Sequence, residues 1–575
     1  MRKIKTPRRA IAAVASLALA LVAVPTVAPA ANAVDACGLG ETCTGSLTGP
    51  MYGDSPFEIR MPEKFNGTVL LYSHGYRVNY PIPAQIAVPA GLDAYPWYSA
   101  TEVPGLGAAY VGNNIPLVAQ DPVTAQQLLG QGYALAGAGY AEQGWAAAEG
   151  VEAGEMLIQH INSGAIAGVD EILAWGDSLG AVITQALVQR NPGKIAGTLP
   201  MCGALEGPEQ AFNMAMTALF SWKTLIAPDL KLANYTPGQA GYVEAVTDLG
   251  TIFQTLQAVA ADSSLVASTR LPVALSNLTA GLLAGLPTRG ETWDGVTVNP
   301  ARDELGLLAA LAGGYTPLTA GQNSGAAMLT NVANTAIIGV MGRYDLEMRA
   351  RQGAQIPPNE SANFSDNVPV VYSELLTVEQ RREFEDTYNS VSPGLLDTML
   401  GALDRSLGSQ TARYPANPKA VEFIRGLPSA TPVYRKPIVM MTTTTDPLVP
   451  AGNTGEFYLA LADTKAAKRA DKRGTLKAVA YYTVPSTPEY TKFEPGAKSP
   501  SGALSAAATG GSGIGHCTFT PAQKVGAVKV LDRLVSAKTP KQVTAAKRVG
   551  YRLTDVNRDR LFAPPLLKRP LATAN

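Results

Sequence analysis

Charge is scarce in this chain. Only 16% of the residues are Asp, Glu, Lys or Arg, below the roughly 25% usual for soluble proteins, and 46 basic residues balance 46 acidic ones. With no net charge there is no long-range field to gather nucleic acid or an anionic membrane, so neither is expected as a partner. Histidine is scarcer still, since His74, His160 and His516 are the whole supply. Their positions lack metal-ligand spacing and no phosphate-cradling glycine loop follows a strand-like run, so no metal and no organic cofactor is implied. The apolar run from about Ile11 to Val24 falls short of the roughly 20 residues that cross a bilayer.

That run has a telling context. Arg2, Lys3, Lys5, Arg8 and Arg9 precede it, and small residues ending in Ala31-Asn32-Ala33 follow it. Basic, apolar and small-residue regions in this order form a cleavable secretory signal, with a membrane-spanning helix as the rival. Cleavage after Ala33 leaves a secreted chain, Val34 to Asn575, with no stable membrane anchor. The Arg8-Arg9 pair leaves general and twin-arginine export both open. The remaining length exceeds one ordinary domain, so one core plus a substantial second module is expected. Cys37, Cys43, Cys202 and Cys517 are the only cysteines. An even number in an oxidising compartment suggests two bridges. Six positions separate Cys37 from Cys43, which makes a small loop their natural pairing and leaves Cys202 with Cys517; four buried thiols are the alternative.

Along the chain, Phe57 to Pro62 reads as a strand, and the apolar run Thr68 to Ser73 as a buried one. A Pro/Gly/Tyr-rich stretch, roughly 76 to 121, shows no clean period and reads as a surface loop bordering a site. Helix-like Thr124 to Gly130, strand-like Tyr133 to Gly139, helical Ala146 to Ile161, strand-like Glu171 to Gly176, helical Leu179 to Arg190 and strand-like Ile195 to Met201 then alternate. Such alternation implies an α/β fold, a mostly parallel sheet with helices on both faces. From Gly203 to about Lys436 only helix-like segments occur: Gln210 to Ile226, Gly241 to Ala267, Ala301 to Ala312, Ala326 to Met341, and Thr377 to Tyr388, which opens with a capping-box pattern. Strand-like runs resume at Pro437 to Thr442 and Leu476 to Tyr482, so the sheet is interrupted rather than finished. The division expected is a core of 34–203 and 436–540, a helical cap of 204–435, and a tail of 541–575. Pro521 to Ala537 reads as an amphipathic helix. In the tail, Asp555-Val-Asn557-Arg-Asp559 resembles the opening of a calcium loop, but Arg560 and Leu566 stand where such loops need Gly and Glu.

The strongest chemical signal is Gly176-Asp177-Ser178-Leu179-Gly180, a G-x-S-x-G between a strand and a helix. A side chain at either glycine would crowd the sharp turn that lifts a serine hydroxyl clear of a sheet. The following helix start aims N–H groups and a positive dipole end at the reacting centre. Ser178 needs a base. His160 falls inside a helix and reads as an ordinary helix histidine; His74 opens His74-Gly75-Tyr76 after a strand, suiting an oxyanion loop; His516 sits on a glycine-rich loop before the last helix, where a base belongs. Asp446, after the strand Pro437 to Thr442, is the carboxylate expected to orient His516, with Asp463 and Asp471 as competitors in charged surroundings. Backbone N–H groups of Leu179 and of Tyr76 or Gly75 are the candidate oxyanion donors, with His74 ordering their loop.

These features resemble the α/β-hydrolase superfamily: the nucleophile elbow at Gly176 to Gly180, the oxyanion loop at His74-Gly75-Tyr76, the acid Asp446 and the base His516, in the order Ser178, Asp446, His516. The likeness covers roughly 50 to 203 and 436 to 540, and it implies a cap inserted after the strand that follows the nucleophile helix. Asp177 stands where lipases often have His, and the oxyanion loop carries one glycine instead of three. The Cys202–Cys517 pairing resembles cysteine placement in some secreted esterases, where it ties the histidine loop to the sheet. A secreted hydrolase acting on a small-molecule or polymeric carboxylic ester, through an acyl-enzyme on Ser178, is the leading expectation. An exopeptidase using Glu374, Glu379, Glu383, Glu385 and Asp386 to hold a substrate amine is the alternative, and acyl transfer differs from hydrolysis only in the acceptor. Oligomeric state has no signature in the sequence.

Overall fold

A computed structural model describes residues 36–88, 90–261, 270–285, 290–291, 297–298, 335–389, 392–443, 446, 448–463, 478–484 and 516–553. The expected export signal therefore lies outside the described residues. Eight strands form the main sheet: β1 Thr42–Gly49, β2 Gly53–Arg60, β3 Thr68–Ser73, β4 Ala134–Ala138, β5 Glu171–Asp177, β6 Gly197–Met201, β7 Ile438–Thr443 and β8 Val479–Val484. Their spatial order is β1-β2-β4-β3-β5-β6-β7-β8. β1 and β2 pair antiparallel, β2 meets β4 antiparallel, and every other pairing is parallel.

Helices α1 Pro122–Leu129, α2 Ala147–His160 and α3 Leu179–Arg190 connect the first strands. Successive side chains of a strand point to opposite faces, and here both faces are covered. Val69 and Leu71 of β3 pack with Val151, Leu157, Ile183 and Leu187 of α2 and α3. Leu70 and Tyr72 pack on the other side, with Leu128 of α1 and with Val528 and Leu531 of a late helix, Pro521–Ser536. Two buried faces explain why β3 to β6 are unbroken apolar runs.

Between β6 and β7 the main sheet gains no strand among the described residues, as its interruption requires. Helices fill the interval: α4 Pro208–Leu225, α5 Gln239–Ala261, α6 Arg270–Leu283, α7 Arg343–Gly353, α8 Val378–Asn389, α9 Leu395–Asp404 and α10 Pro418–Gly426. The expected helix at Ala301 to Ala312 lies outside the described residues. What is described of Ala326 to Met341 ends in a π turn, Ile338–Gly342. Four helices, α6, α7, α9 and α10, have no counterpart in the sequence reading. α7 shows why: Arg343, Asp345 and Glu347 read as surface charge, yet all three are buried. After β7 come α11 Ala451–Asp463, α12 Pro521–Ser536 and α13 Pro540–Leu553.

Two expectations need correction. The stretch from 76 to 121 is more than a surface loop, for it holds a three-stranded antiparallel sheet of Ile82–Pro83, Tyr98–Val103 and Gly107–Gly112. Val78, Ile82, Ala87 and Ala90 from it are buried with the helices of the inserted block. Its strands are too short and too exposed on one side to print a period. The start of the tail, to which the sequence assigns no element, is a helix as far as Leu553: α13 buries Val543 and Ala546 against the sheet-side core, and Thr539 accepts from the Gln542 N–H while Gln542 Oε1 accepts from the Thr539 N–H.

The block is not loosely tethered. Phe212, Leu346, Phe364 and Ile424 belong to the same apolar cluster as β3, α2 and α3. Arg349 of α7 reaches across to Glu149 of α2 and to the Gln143 carbonyl, while Asp345 accepts from the Trp145 N–H at 2.9 Å.

Candidate active site

β5 runs straight into Ser178, whose backbone adopts φ 56° and ψ −123° before α3 begins. A non-glycine residue at positive φ is strained by about 1–3 kcal/mol and persists only where its surroundings dictate it. They do so through close backbone approach. A Cβ on Gly180 would stand 2.0 Å from the Ser73 carbonyl oxygen, and one on Gly176 would stand 2.6 Å from the same atom. Both glycines are thus demanded by space, and the Ser178 N–H donates to the Met201 carbonyl of β6 at 3.0 Å.

Asp446 follows β7 and is fully buried. Its Oδ1 accepts from the backbone N–H groups of Leu448 and Val449 at 2.9 and 2.8 Å, which leaves Oδ2 for the Nδ1–H of His516 at 2.7 Å. Burial works to lower the His516 pKa, but the Asp446 carboxylate and its hydrogen bond, with the charge of Asp177 behind them, outweigh it and raise the imidazole above 6.5. Carboxylate and imidazole are therefore brought together as anticipated. Ser178 Oγ and the imidazole share no hydrogen bond; His516 Nε2 lies 3.4 Å from Cys517 Sγ instead. Asp463 ends α11, and Asp471 lies outside the described residues.

Both disulfides form, Cys37–Cys43 and Cys202–Cys517. The second joins the residue after β6 to the residue after His516, at the end of the sheet that carries Ser178. Cys202 and Cys517 both adopt positive φ, at 42° and 56°.

The loop after β3 lies over the serine. A Cβ on Gly75 would stand 3.2 Å from Ser178 Cβ. His74 is buried, its Nδ1 2.8 Å from the Gly75 carbonyl and its ring stacked on Tyr140 at 3.8 Å, while the Tyr140 hydroxyl donates to the His74 carbonyl. Burial first, and the Arg77 charge second, hold the His74 pKa well below 6.5. The ring is therefore neutral near pH 7. Leu179, as the first residue of α3, has an N–H with no preceding-turn carbonyl to meet. His160 packs on Phe57 at 4.8 Å, an ordinary helix histidine.

A cavity partly open to solvent, with about 740 Å³ of empty space when the open part is included, meets Ser178, Leu179 and Tyr76. Its other walls come from Trp145, Ala204, Leu448 and Val449, from Ala211, Phe212, Met214, Ala215 and Ala218 of α4, and from Ala284, Thr335, Ile338 and Gly339. Among the described residues no charged side chain lines it. These wall residues carry no signal in the sequence, because the cavity exists only where α4 and the π turn are laid over the sheet. Asp177 was noted only as a departure from lipases; it is buried and accepts from the Tyr72 hydroxyl, with burial raising its pKa. Glu374 and Glu385 are exposed, whereas the side chains of Glu379, Glu383 and Asp386 and the segment from Asp555 lie outside what is described.

No family model matches the sequence, and no curated protein matches it. Among solved structures it is similar to an esterase from Aspergillus oryzae, with 11% identity and a TM-score of 0.32 over 77% of this chain and 71% of that one. It is similar also to feruloyl esterase B from Aspergillus oryzae, with 11% identity and a TM-score of 0.30 over 77% and 72%. A rice cell wall degrading esterase, LipA from Xanthomonas oryzae, aligns at 12% identity and a TM-score of 0.29 over 77% and 82%. By its strand order and the turn that carries Ser178, the chain has the α/β-hydrolase fold.

Proposed function

We propose that the protein is an exported serine hydrolase that cleaves a carboxylic ester with an apolar portion, through an acyl-enzyme on Ser178. One observation carries the reading: a serine on a strained glycine turn opens into a cavity whose described wall residues carry no charge, at the sheet end where a buried carboxylate holds an imidazole. Helices 204–435 act as the cap that closes this cavity. The two disulfides support export, since such bonds persist in oxidising compartments. No helix among the described residues is long and apolar enough to cross a membrane.

The chemistry follows from the arrangement. Asp446 fixes the Nδ1–H tautomer of His516, so Nε2 carries the lone pair. Nε2 leaves Cys517 Sγ for Ser178 Oγ and takes its proton as Oγ bonds the ester carbonyl carbon. The N–H groups of Leu179 and of Tyr76 or Gly75 receive the oxyanion. As the intermediate collapses, the carbon–oxygen bond to the alcohol breaks and the alcohol oxygen takes the proton from Nε2. Water then repeats the sequence: it gives a proton to Nε2, its oxygen bonds the acyl carbon, and Ser178 Oγ leaves and is reprotonated.

An exopeptidase would need a carboxylate facing the substrate amine, and among the described residues of the cavity wall there is none. The test compares wild type with Ser178→Ala on short and long acyl esters and on aminoacyl amides. Ester turnover is expected to fall by about 10³-fold or more. Unchanged turnover in the variant rejects the reading, and a preference for the amides transfers the site to the exopeptidase class.

A further inference from the structure

Resting on that reading, we infer that the cavity beside Ser178 receives the acyl half of the ester, and that Ala215 and Gly339, which face each other in its wall, set the length of an unbranched apolar acyl chain. The assignment to the acyl half follows from what touches the cavity. The leaving alcohol oxygen must come within reach of the imidazole that protonates it, so the alcohol lies on the side of His516. The acyl substituent turns away from that side. Ser178, Leu179 and Tyr76 line the cavity and His516 does not.

The shape of the wall supplies the rest. On α4, Phe212, Asn213, Met214, Met216, Thr217, Leu219 and Phe220 are buried, while Ala211, Ala215 and Ala218 are only half-buried. Spacings of four and three place those alanines on one helix face, and all three line the cavity. Their residual exposure is exposure to this space. A row of methyl groups makes a shallow trough that suits a straight chain and offers no lobe for a branch. Across from it stands the π turn, Ile338–Gly342. A Cβ on Gly339 would meet Ala215 Cβ at 3.8 Å and Leu219 Cδ1 at 3.6 Å, so the walls close there with room for one methyl group. Added side-chain volume at 215 or 339 would therefore narrow the space open to an acyl chain.

The experiment uses the full exported chain and two ester series, one varying the acyl chain from acetyl to dodecanoyl on a fixed p-nitrophenol, the other varying the alcohol on a fixed octanoyl group. Each CH₂ buried in an apolar site is worth about fourfold in affinity, so wild-type kcat/KM is expected to climb with acyl length to an optimum and then drop. Ala215→Leu should lower the octanoyl-to-acetyl ratio of kcat/KM at least tenfold, and Gly339→Ala, a milder change, about threefold. The alcohol series should keep its order in both variants. An unchanged acyl ratio, or a shift in the alcohol series instead, overturns the inference. If Ala215→Leu fails to fold, Gly339→Ala and the wild-type acyl profile still decide, since a flat profile also overturns it. Loss of turnover in Ser178→Ala alongside a flat profile defeats this inference alone, whereas full turnover in Ser178→Ala defeats the underlying function.

Discussion

At the scale of single residues, the pair Asp446–His516 sets the pH behaviour. The imidazole is held above 6.5, and a protonated imidazole has no lone pair with which to accept the serine proton. Ester turnover should therefore fall as pH drops through a midpoint above 6.5. Asp446→Asn removes the charge that raises that midpoint and the acceptor that fixes the tautomer. Its acid limb should move to lower pH while kcat/KM drops by about 10³- to 10⁴-fold, and a pH–rate profile of both proteins checks this; a limb that stays in place denies Asp446 its role. Ser178 and Asp446 were legible because each is a polar residue just beyond a strand-like apolar run, and His516 because it is one of three histidines and sits on a glycine-rich loop. Trp145, Phe212 and Ala215 were not, because an apolar residue looks the same in sequence whether it faces a core or a cavity.

Among elements, the histidine loop is tied to the sheet beside Ser178. Gln120 donates to the Cys517 carbonyl at 3.3 Å, and the disulfide to Cys202 fixes the loop to β6, whose Met201 carbonyl holds the Ser178 N–H. The double variant Cys202→Ala/Cys517→Ala should keep the fold but lower kcat by about 10²-fold, the cost of an ångström of misplacement. Its midpoint of thermal unfolding should fall as well, for removing such a bridge costs about 2–5 kcal/mol. Wild-type kcat in a folded double variant would show that the loop needs no tether. The alternation of strand and helix was readable up to β6 because both faces of the sheet are covered and each strand is a bounded apolar run. Helix α7 was unreadable for the opposite reason, since its buried charges invert the pattern on which periodicity depends.

For the molecule as a whole, the inserted block carries an acid that resists ionisation. Glu347 of α7 is fully buried, accepting from the backbone N–H groups of Asn234 and Tyr235, and burial pushes its pKa up to about 7 despite the nearby Arg343. Between about pH 4.5 and 7 the folded protein binds a proton that the unfolded chain has released, so stability declines as pH rises through this window, by about 3 kcal/mol in all. Glu347→Gln should flatten that decline relative to wild type when unfolding free energies are compared at pH 5 and pH 8. An identical slope in the variant would mean that the folded carboxyl titrates at its ordinary value. The interruption of the sheet was visible from rhythm alone, but the way the block grips the core was not, since Arg349 and Asp345 lie 200 positions from their partners Glu149 and Trp145.

The Cys202–Cys517 bond spans 315 positions. Topologically the polypeptide is a closed ring with two free tails, and the whole helical block lies within the ring. Tension applied between the chain ends passes through the sulfurs and bypasses everything from residue 203 to 516. Those helices are mechanically shielded, and pulling on the tails can strip away β1 to β6 and the last helices without ever stretching the segment that covers the serine.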